Sequence, residues 1–275
     1  MYLIEFIGLQ GSGKSTLNKY FANIAKSKGL PIYSVDRIIR EKELIYNGKI
    51  ISAIDTVIKF TAPRNYFSRW RGKIYGSVYL PYSKLAFFEQ HPFVMELLSK
   101  SLQNDKNPID LKTKSFQHKC NNYGKWWLAE NILSDNDGYV LEEGLIYTGI
   151  ELCIDHQDNC DFNFLRKYLD TIQLPQALVY IDLPHETCFR LLKNRKNMGP
   201  LNKARLMNLQ KLTRKKISEY YKKNEEKLKI VCDETAKMGV EVIKINNADD
   251  KSPYDVAMDL FNRLPGIKNN FGAPK

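Results

Sequence analysis

Residues 2–16, Tyr-Leu-Ile-Glu-Phe-Ile-Gly-Leu-Gln-Gly-Ser-Gly-Lys-Ser-Thr, decide the fold of this chain. The first part, residues 2–7, is a short apolar run rich in β-forming residues, which is typical of a buried strand. The second part, residues 8–16, fits the pattern G-x-x-x-x-G-K-[ST] in full and is called the phosphate loop hereafter. Glycines let successive N–H groups curve around a phosphate, and the N-terminus of a following helix adds partial positive charge. The stretch therefore predicts a strand, a phosphate-binding turn and a helix.

The phosphate loop supplies seven candidate nucleotide-binding residues. They are Gly8, Gly11, Ser12, Gly13, Lys14, Ser15 and Thr16. In such a loop the lysine reaches the β- and γ-phosphates, and the first hydroxyl residue after it ligates Mg²⁺. We therefore expect Lys14 to act on the phosphates and Ser15 to be a magnesium ligand.

Helix and strand signals continue beyond the phosphate loop. A helix from about Lys14 to Lys28 should end at Gly29 and Pro31, and Ile32 to Val35 is predicted to be a second strand. Strand, helix and strand at this spacing favour a parallel sheet. Further strands are predicted at 138–141, 177–183 and 240–245, with helices over 204–238 and 253–264 and a mostly helical segment over 37–133. The predicted apolar stripe of the helix over 204–238 includes Tyr220.

The composition is that of an ordinary globular chain, with 275 residues, 43% hydrophobic and 27% charged. No apolar run reaches the ~18 residues of a membrane-spanning helix, and no basic region precedes the apolar start, so we expect neither such a helix nor a signal peptide. The five cysteines include no Cys-x-x-Cys pair, which favours free thiols in a reducing compartment, here the cytoplasm. Segment 153–160 holds two Cys, one His and two Asp, but its spacing matches no zinc pattern and is interpreted as a turn.

One segment carries the whole charge imbalance of the chain. Residues 187–229 contain 14 Lys or Arg and 3 Asp or Glu, a net charge of +11, and the net charge of the full chain is also +11. Such a block suits polyphosphate, nucleic acid or an anionic membrane surface. The segment 60–88 is aromatic and basic, with nine Phe, Tyr or Trp, five Lys or Arg and no acid. It suits a base-stacking pocket, a nucleic-acid groove or a lipid-facing helix, and equally a helical core with basic side chains at its edge.

The intact phosphate loop resembles that of the P-loop NTPases, and the order of elements after it resembles the nucleoside and nucleotide kinases, thymidylate kinase especially. The Asn-Lys-x-Asp and Thr-Lys-x-Asp motifs of guanine-specific relatives are absent, which argues against a GTPase. The resemblance implies an α/β fold: a parallel-sheet P-loop kinase fold with three α/β/α layers. It also implies a single domain over 1–275, a helical acceptor-side insertion over 40–135, a basic lid over 187–205 and a frayed tail over 265–275.

The resemblance also assigns roles to acidic residues that follow two of the predicted strands. Asp36 and Arg37 come after the second strand, where kinases of this group often place an acceptor-binding or base residue; an N-cap for the next helix is an equal alternative for Asp36. The pair Glu142 and Glu143 follows the apolar strand 138–141. The resemblance implies a metal-side role for Glu142 and a supporting or acceptor-side role for Glu143, and a plain solvated pair is the alternative.

The predicted lid contributes two candidate arginines, Arg190 and Arg195. In the kinases that the chain resembles, lid arginines close over the phosphates and neutralise charge in the transition state. The two are five positions apart, so they need not share one helix face, and Arg195 is the stronger candidate.

These patterns predict an ATP- and Mg²⁺-dependent phosphotransferase with a small hydroxyl- or phosphate-bearing acceptor. A nucleoside or nucleotide is favoured, and a sugar or other small alcohol comes next. Two alternatives stay open at this point: a polynucleotide 5′-kinase or other nucleic-acid-acting P-loop enzyme, and a non-catalytic nucleotide-binding protein. Sulfotransferases are disfavoured, since they usually lack the full loop.

Overall fold

The computed structural model describes residues 1–42, 72, 75–104, 108–142, 144–153, 162–194, 214–246 and 251–264. Several sequence predictions fall outside these residues. They concern Glu143, Arg195, most of the segment 153–160, the tail 265–275 and the first half of the aromatic and basic segment 60–88. No helix among the described residues is both long enough and apolar enough to cross a membrane.

In the part of the chain that the structure describes, five strands form one sheet. They are β1 (Tyr2–Gly8), β2 (Ile32–Tyr33), β3 (Gly138–Glu142), β4 (Ala177–Ile181) and β5 (Glu241–Ile245). All neighbours are parallel, in the order β2-β3-β1-β4-β5. β1 is therefore central, and its register places Phe6 opposite Glu142 and Gly8 opposite Ile181. The carboxyl ends of β1 and its two neighbours meet at one edge, where ligands of open parallel sheets bind.

Helices connect the strands. They are α1 (Lys14–Ser27), α2 (Val35–Glu41), α3 (Leu80–Gln90), α4 (Pro92–Asn104), α5 (Ile109–Ile132), α6 (Leu145–Cys153), α7 (Phe162–Thr171), α8 (His185–Lys193), α9 (Arg214–Lys237) and α10 (Pro253–Arg263). A short π-helix, Tyr75–Tyr79, leads into α3.

The two faces of the sheet are covered by different helices. On one face, the Phe6 ring of β1 lies 5.8 Å from Phe21 of α1, and Phe21 lies 5.7 Å from Phe261 of α10. Glu5 points to the opposite face, where its carboxylate meets the start of α6, and α9 packs beside α6. Because side chains alternate along a strand, these contacts define three layers. The predicted α/β/α fold class is thus confirmed.

The described residues from Tyr75 to Ile132 are helical, apart from short breaks. α3 and α5 pack together through an aromatic core in which Phe87 stacks on Tyr123 at 4.7 Å and meets Trp126 edge-on at 5.7 Å. The hydroxyl of Tyr123 lies 3.0 Å from that of Tyr168, so this aromatic core also contacts α7. The boundaries predicted for the insertion and the lid stay predictions.

Two local predictions need correction. The second strand ends at Tyr33 rather than Val35, because Ser34 caps α2 and its hydroxyl accepts a hydrogen bond from the N–H of Arg37 at 3.4 Å. Asp36 is therefore neither at the strand end nor the N-cap; it lies in the first turn of α2. On α9, the predicted apolar stripe included Tyr220, but Tyr220 is 42% exposed and the adjacent Tyr221 is buried.

Candidate active site

At Gly11 and Gly13 the phosphate loop has a backbone conformation that only glycine adopts easily. Gly11 and Gly13 have φ of 90° and 87°, in the left-handed region that favours glycine. Gly13 is also the residue directly before α1. At Gly11 a Cβ would lie 2.1 Å from the carbonyl oxygen of Cys188, so the first turns of α8 pack directly on the loop. The loop thus presents backbone N–H groups at the start of a helix, as the sequence predicts.

Two buried polar groups line the interior of the loop. Lys14 is 5% exposed, and its ammonium donates to the carbonyl oxygens of Gly8 at 2.9 Å and Leu9 at 3.1 Å. Ser12 is 1% exposed, and its hydroxyl has no hydrogen-bond partner among the described residues. An unpaired buried hydroxyl is costly, and a phosphate oxygen in the loop would remove that cost. The loop therefore fits a phosphate by its shape, its buried cation and its unpaired donor.

A carboxylate from β3 meets the first turn of α1. The hydroxyl of Ser15 donates a hydrogen bond to Oε1 of Glu142, across 127 residues of sequence. The contact follows from the sheet order, because β3 lies next to β1 and both strands end at the same edge. A hydroxyl and a carboxylate at the mouth of a phosphate cradle are oxygen donors of the kind that Mg²⁺ takes. The structure thus brings together the two residues that the sequence predicts on the metal side.

The two residues predicted after the second strand have separate surroundings. Asp36 is exposed at the start of α2. The guanidinium of Arg37 donates to Glu41 at 2.7 Å and to the carbonyl oxygens of Leu30 and Ile32 at 3.1 and 2.8 Å. Arg37 therefore ties α2 to the chain entering β2.

The described part of the predicted lid begins with α8, where Arg190 is exposed in the last turn. It makes no ion pair with any residue in the described ranges. Two residues closer to β4, Cys188 packs on Gly11, and burial raises the pKa of its thiol to about 11. Because only a thiolate is reactive, Cys188 is a packing residue of the loop rather than a nucleophile.

A cavity of about 140 Å³ opens beside the phosphate loop. Three elements enclose it: residues 8–10 at the start of the loop, α6 with Tyr147 and Glu151, and α9 with Tyr221 and Lys227. The hydroxyl of Tyr221 donates to the carbonyl of Gln10 at 3.5 Å. The cavity is not predictable from the sequence, since the described residues that line it come from three distant segments. Asp36 does not line it.

A fully buried carboxylate, Glu5, lies in the middle of β1. Its role was not predicted from the sequence. It accepts hydrogen bonds from the N–H groups of Ile146 at 3.0 Å and Tyr147 at 2.9 Å. Burial raises the pKa of Glu5 to about 7, although the N–H groups at the start of α6 favour the ionised form and oppose that rise. The available signal was a lone acidic residue inside an otherwise apolar strand.

No protein-family model and no curated protein matches this chain. Among solved structures, a deoxyadenosine kinase from M. mycoides with bound dATP aligns over 94% of this chain and 99% of its own, with 14% sequence identity and a TM-score of 0.42. The sequence identity and the TM-score are both low, so the function of this chain has to be inferred from its own residues.

Proposed function

We propose that this chain is an ATP- and Mg²⁺-dependent phosphotransferase that acts on a small acceptor bearing a hydroxyl or phosphate group. The observation that carries the proposal is the contact between Ser15 and Glu142 at the mouth of the phosphate loop. It sets two oxygen ligands from different elements beside a buried lysine. A divalent cation next to a phosphate cradle is the arrangement that phosphoryl transfer from a nucleotide requires.

The residues of the chain divide between the phosphates and the metal. Backbone N–H groups of the phosphate loop, the hydroxyl of Ser12 and the ammonium of Lys14 would hold the phosphates of ATP. Ser15 and Glu142 would hold Mg²⁺, directly or through water. When bound, Mg²⁺ neutralises charge on the β- and γ-phosphates.

The cavity beside the phosphate loop is the proposed acceptor site. The rings of Tyr147 and Tyr221 offer flat surfaces, and Glu151 and Lys227 add polar groups at the same walls. Those surfaces suit a nucleoside or nucleotide first, and a sugar or other small alcohol next. The position of the cavity against residues 8–10 supports this proposal, because an acceptor bound there would lie beside the phosphates held by the loop.

Three further residues keep their predicted roles as proposals. Asp36 is the proposed acceptor-side carboxylate, supported by its place after β2 at the ligand-binding edge of the sheet. Because Asp36 does not line the cavity, this role requires an acceptor that extends beyond the cavity towards the start of α2. Arg190 and Arg195 are the proposed cations over the transferred phosphoryl group; the packing of α8 on the phosphate loop supports Arg190, and Arg195 lies outside the described residues. Arg37 is left out of the acceptor site, because its guanidinium is held by Glu41 and backbone carbonyls.

Turnover against a mixed acceptor panel tests the proposal. The purified chain is incubated with ATP, with and without Mg²⁺, and with nucleosides, nucleotides and sugars, and products are detected by mass as a gained phosphoryl group. We expect at least one acceptor to be phosphorylated, only with Mg²⁺, and not by a folded Lys14→Ala control. Tight Mg²⁺-nucleotide binding with no turnover of any acceptor would instead indicate a non-catalytic nucleotide-binding protein.

A polynucleotide acceptor is the second candidate, and the exposed basic side chains favour it. Within the described residues, α8 and the first half of α9 carry Arg190, Lys193, Lys216, Lys222 and Lys223. A 5′-hydroxyl oligonucleotide therefore belongs in the panel. An acceptor held by six or more phosphate contacts would lose affinity steeply with salt, whereas a small acceptor would show almost no salt dependence.

The proposed compartment is the cytoplasm. Cys120, Cys188 and Cys232 are buried free thiols, as suits a reducing environment.

A further inference from the structure

Glu5 is a carboxylate in a place where an apolar side chain would ordinarily stand. It lies in the middle of the central strand, three residues before Gly8, and is 0% exposed. Burying a charge is unfavourable unless hydrogen bonds compensate it. Here both oxygens are used: Oε2 accepts from Ile146 and Oε1 from Tyr147. The N-terminus of a helix also favours a negative charge, so the start of α6 holds the carboxylate in place.

Gly144, the residue before α6, makes room for this carboxylate. A Cβ at position 144 would lie 2.8 Å from both Cδ and Oε2 of Glu5. The Glu5 side chain therefore occupies the space that any other residue at 144 would need. The backbone of Glu5 also pairs with that of Leu141, which holds β3 against β1. Glu5 thus contacts both the end of β3 and the start of α6.

The end of β3 and the start of α6, both in contact with Glu5, carry two groups that meet the phosphate loop. Glu142, the last residue of β3, accepts the hydrogen bond from Ser15. Tyr147, whose N–H is bound by Glu5, places its ring 5.6 Å from the ammonium of Lys14. Glu5 itself lies too deep to touch a ligand, so any influence on the reaction has to pass through these neighbours.

We propose that Glu5 is a positioning residue. Its carboxylate fixes the turn from β3 to α6 so that Glu142 faces Ser15 and Tyr147 faces Lys14. This inference rests on the proposed function for its kinetic consequences, and on the hydrogen bonds of Glu5 for its structural ones. Misplacement of a reacting or ligating group by about 1 Å costs on the order of 10²-fold in rate, which gives the size of the expected effect.

Glu5→Gln tests the proposal, because it keeps the shape but removes the charge and sets an amide N–H₂ against the N–H donors of α6. The matched control is Ile4→Val, which trims a buried residue of the same strand on the opposite face. We expect Glu5→Gln to speed amide hydrogen exchange at Ile146 and Tyr147 at least tenfold. Its Mg²⁺ concentration for half-maximal nucleotide binding should rise about tenfold, and its kcat should fall about 10²-fold. Ile4→Val should leave the magnesium midpoint and the local exchange unchanged.

Two results would overturn the proposal: unchanged exchange at residues 146–147, or faster exchange with magnesium and kinetic constants like those of Ile4→Val. If Glu5→Gln does not fold, Gly144→Ala takes its place, since its Cβ displaces the same carboxylate and should raise the magnesium midpoint equally. If the wild type phosphorylates no acceptor, the proposed function fails. Exchange and magnesium-dependent nucleotide binding still decide the role of Glu5 in that case.

Discussion

The acidic residues at or after the ends of β3 and β2 are positioned in different ways. β3 is a five-residue strand with partners on both sides, and it delivers Glu142 to Ser15 across the sheet edge. Within the described residues, β2 is a two-residue edge strand that pairs only with β3, and the chain turns at once into α2. Asp36 is consequently placed by the helix cap at Ser34 rather than by strand register. A strand with partners on both sides fixes the position of its last side chain through its backbone, whereas at the end of an edge strand local capping sets that position.

Removing Lys14 should lower turnover the most, because Lys14 is the buried cation of the phosphate loop that follows the central strand β1. Lys14→Ala is expected to lower turnover by ~10³-fold, about 4 kcal/mol of transition-state stabilisation. The hydrogen bonds from Lys14 to two carbonyls are local, so circular dichroism should show an intact fold. Turnover above about a tenth of the wild-type rate would show that the phosphate loop does not take part in the reaction.

Replacing the two carboxylates compares the two strand ends directly. Asp36→Asn should lower turnover of the true acceptor by ~10²-fold, as for loss of a general base, with nearly unchanged ATP affinity. Glu142→Gln should instead raise the Mg²⁺ concentration needed for the half-maximal rate, because it weakens the site shared with Ser15. Titrations of Mg²⁺, ATP and acceptor on both variants separate the roles. Normal turnover by Asp36→Asn would leave that residue as a helix-turn carboxylate, with the base to be sought elsewhere.

The buried carboxylate of Glu5 should make stability depend on pH at the central strand. Its pKa is raised from 4.5 to about 7 in the folded protein, so between these values the folded state binds more protons than the unfolded state. The free energy of unfolding should therefore fall as pH rises from about 4.5 to 7, by up to about 3 kcal/mol, and level off above pH 7.

Denaturant unfolding of the wild type and Glu5→Gln across that pH range measures this contribution as a difference of two curves. Other titrating groups cancel in the difference. A difference that stays flat from pH 4.5 to 7, or that grows in favour of the wild type, would contradict the raised pKa of Glu5.

Removing the cap of α2 should have the smallest effect. Ser34→Ala deletes the hydroxyl that accepts from Arg37 and should lower the free energy of unfolding by about 1 kcal/mol. Because Asp36 lies in the same helical turn, the acceptor KM should rise as well. Ser252→Ala, which removes the equivalent cap of α10, is the control: a similar stability loss with an unchanged KM. Equal KM values for both variants would show that capping does not position Asp36.

The phosphate loop was predictable because its information is local. Spacing within nine residues specifies the glycines, Lys14 and Ser15, and the left-handed φ of Gly11 and Gly13 follows from residue type. The strand and helix order was predictable for the same reason, apart from the length of β2 and the orientation of Tyr220 and Tyr221. The length of β2 depends on the cap that Ser34 forms, and the orientation of the two tyrosines depends on which neighbour covers that face of α9.

Glu142 was reached from the sequence only through resemblance, and its contact with Ser15 depends on β3 lying beside β1. Glu5 and the cavity were not reached at all. Glu5 meets its donors across 141 and 142 residues of sequence, and the cavity joins the phosphate loop to α6 and α9.

The sequence by itself therefore determined a parallel α/β chain with a phosphate-binding turn, since periodicity, caps and glycine positions act over a few residues. Only the tertiary structure decided which carboxylate meets Ser15, what Glu5 holds, and where a cavity opens. Those outcomes depend on strand order and helix packing, which bring together segments that no local pattern relates.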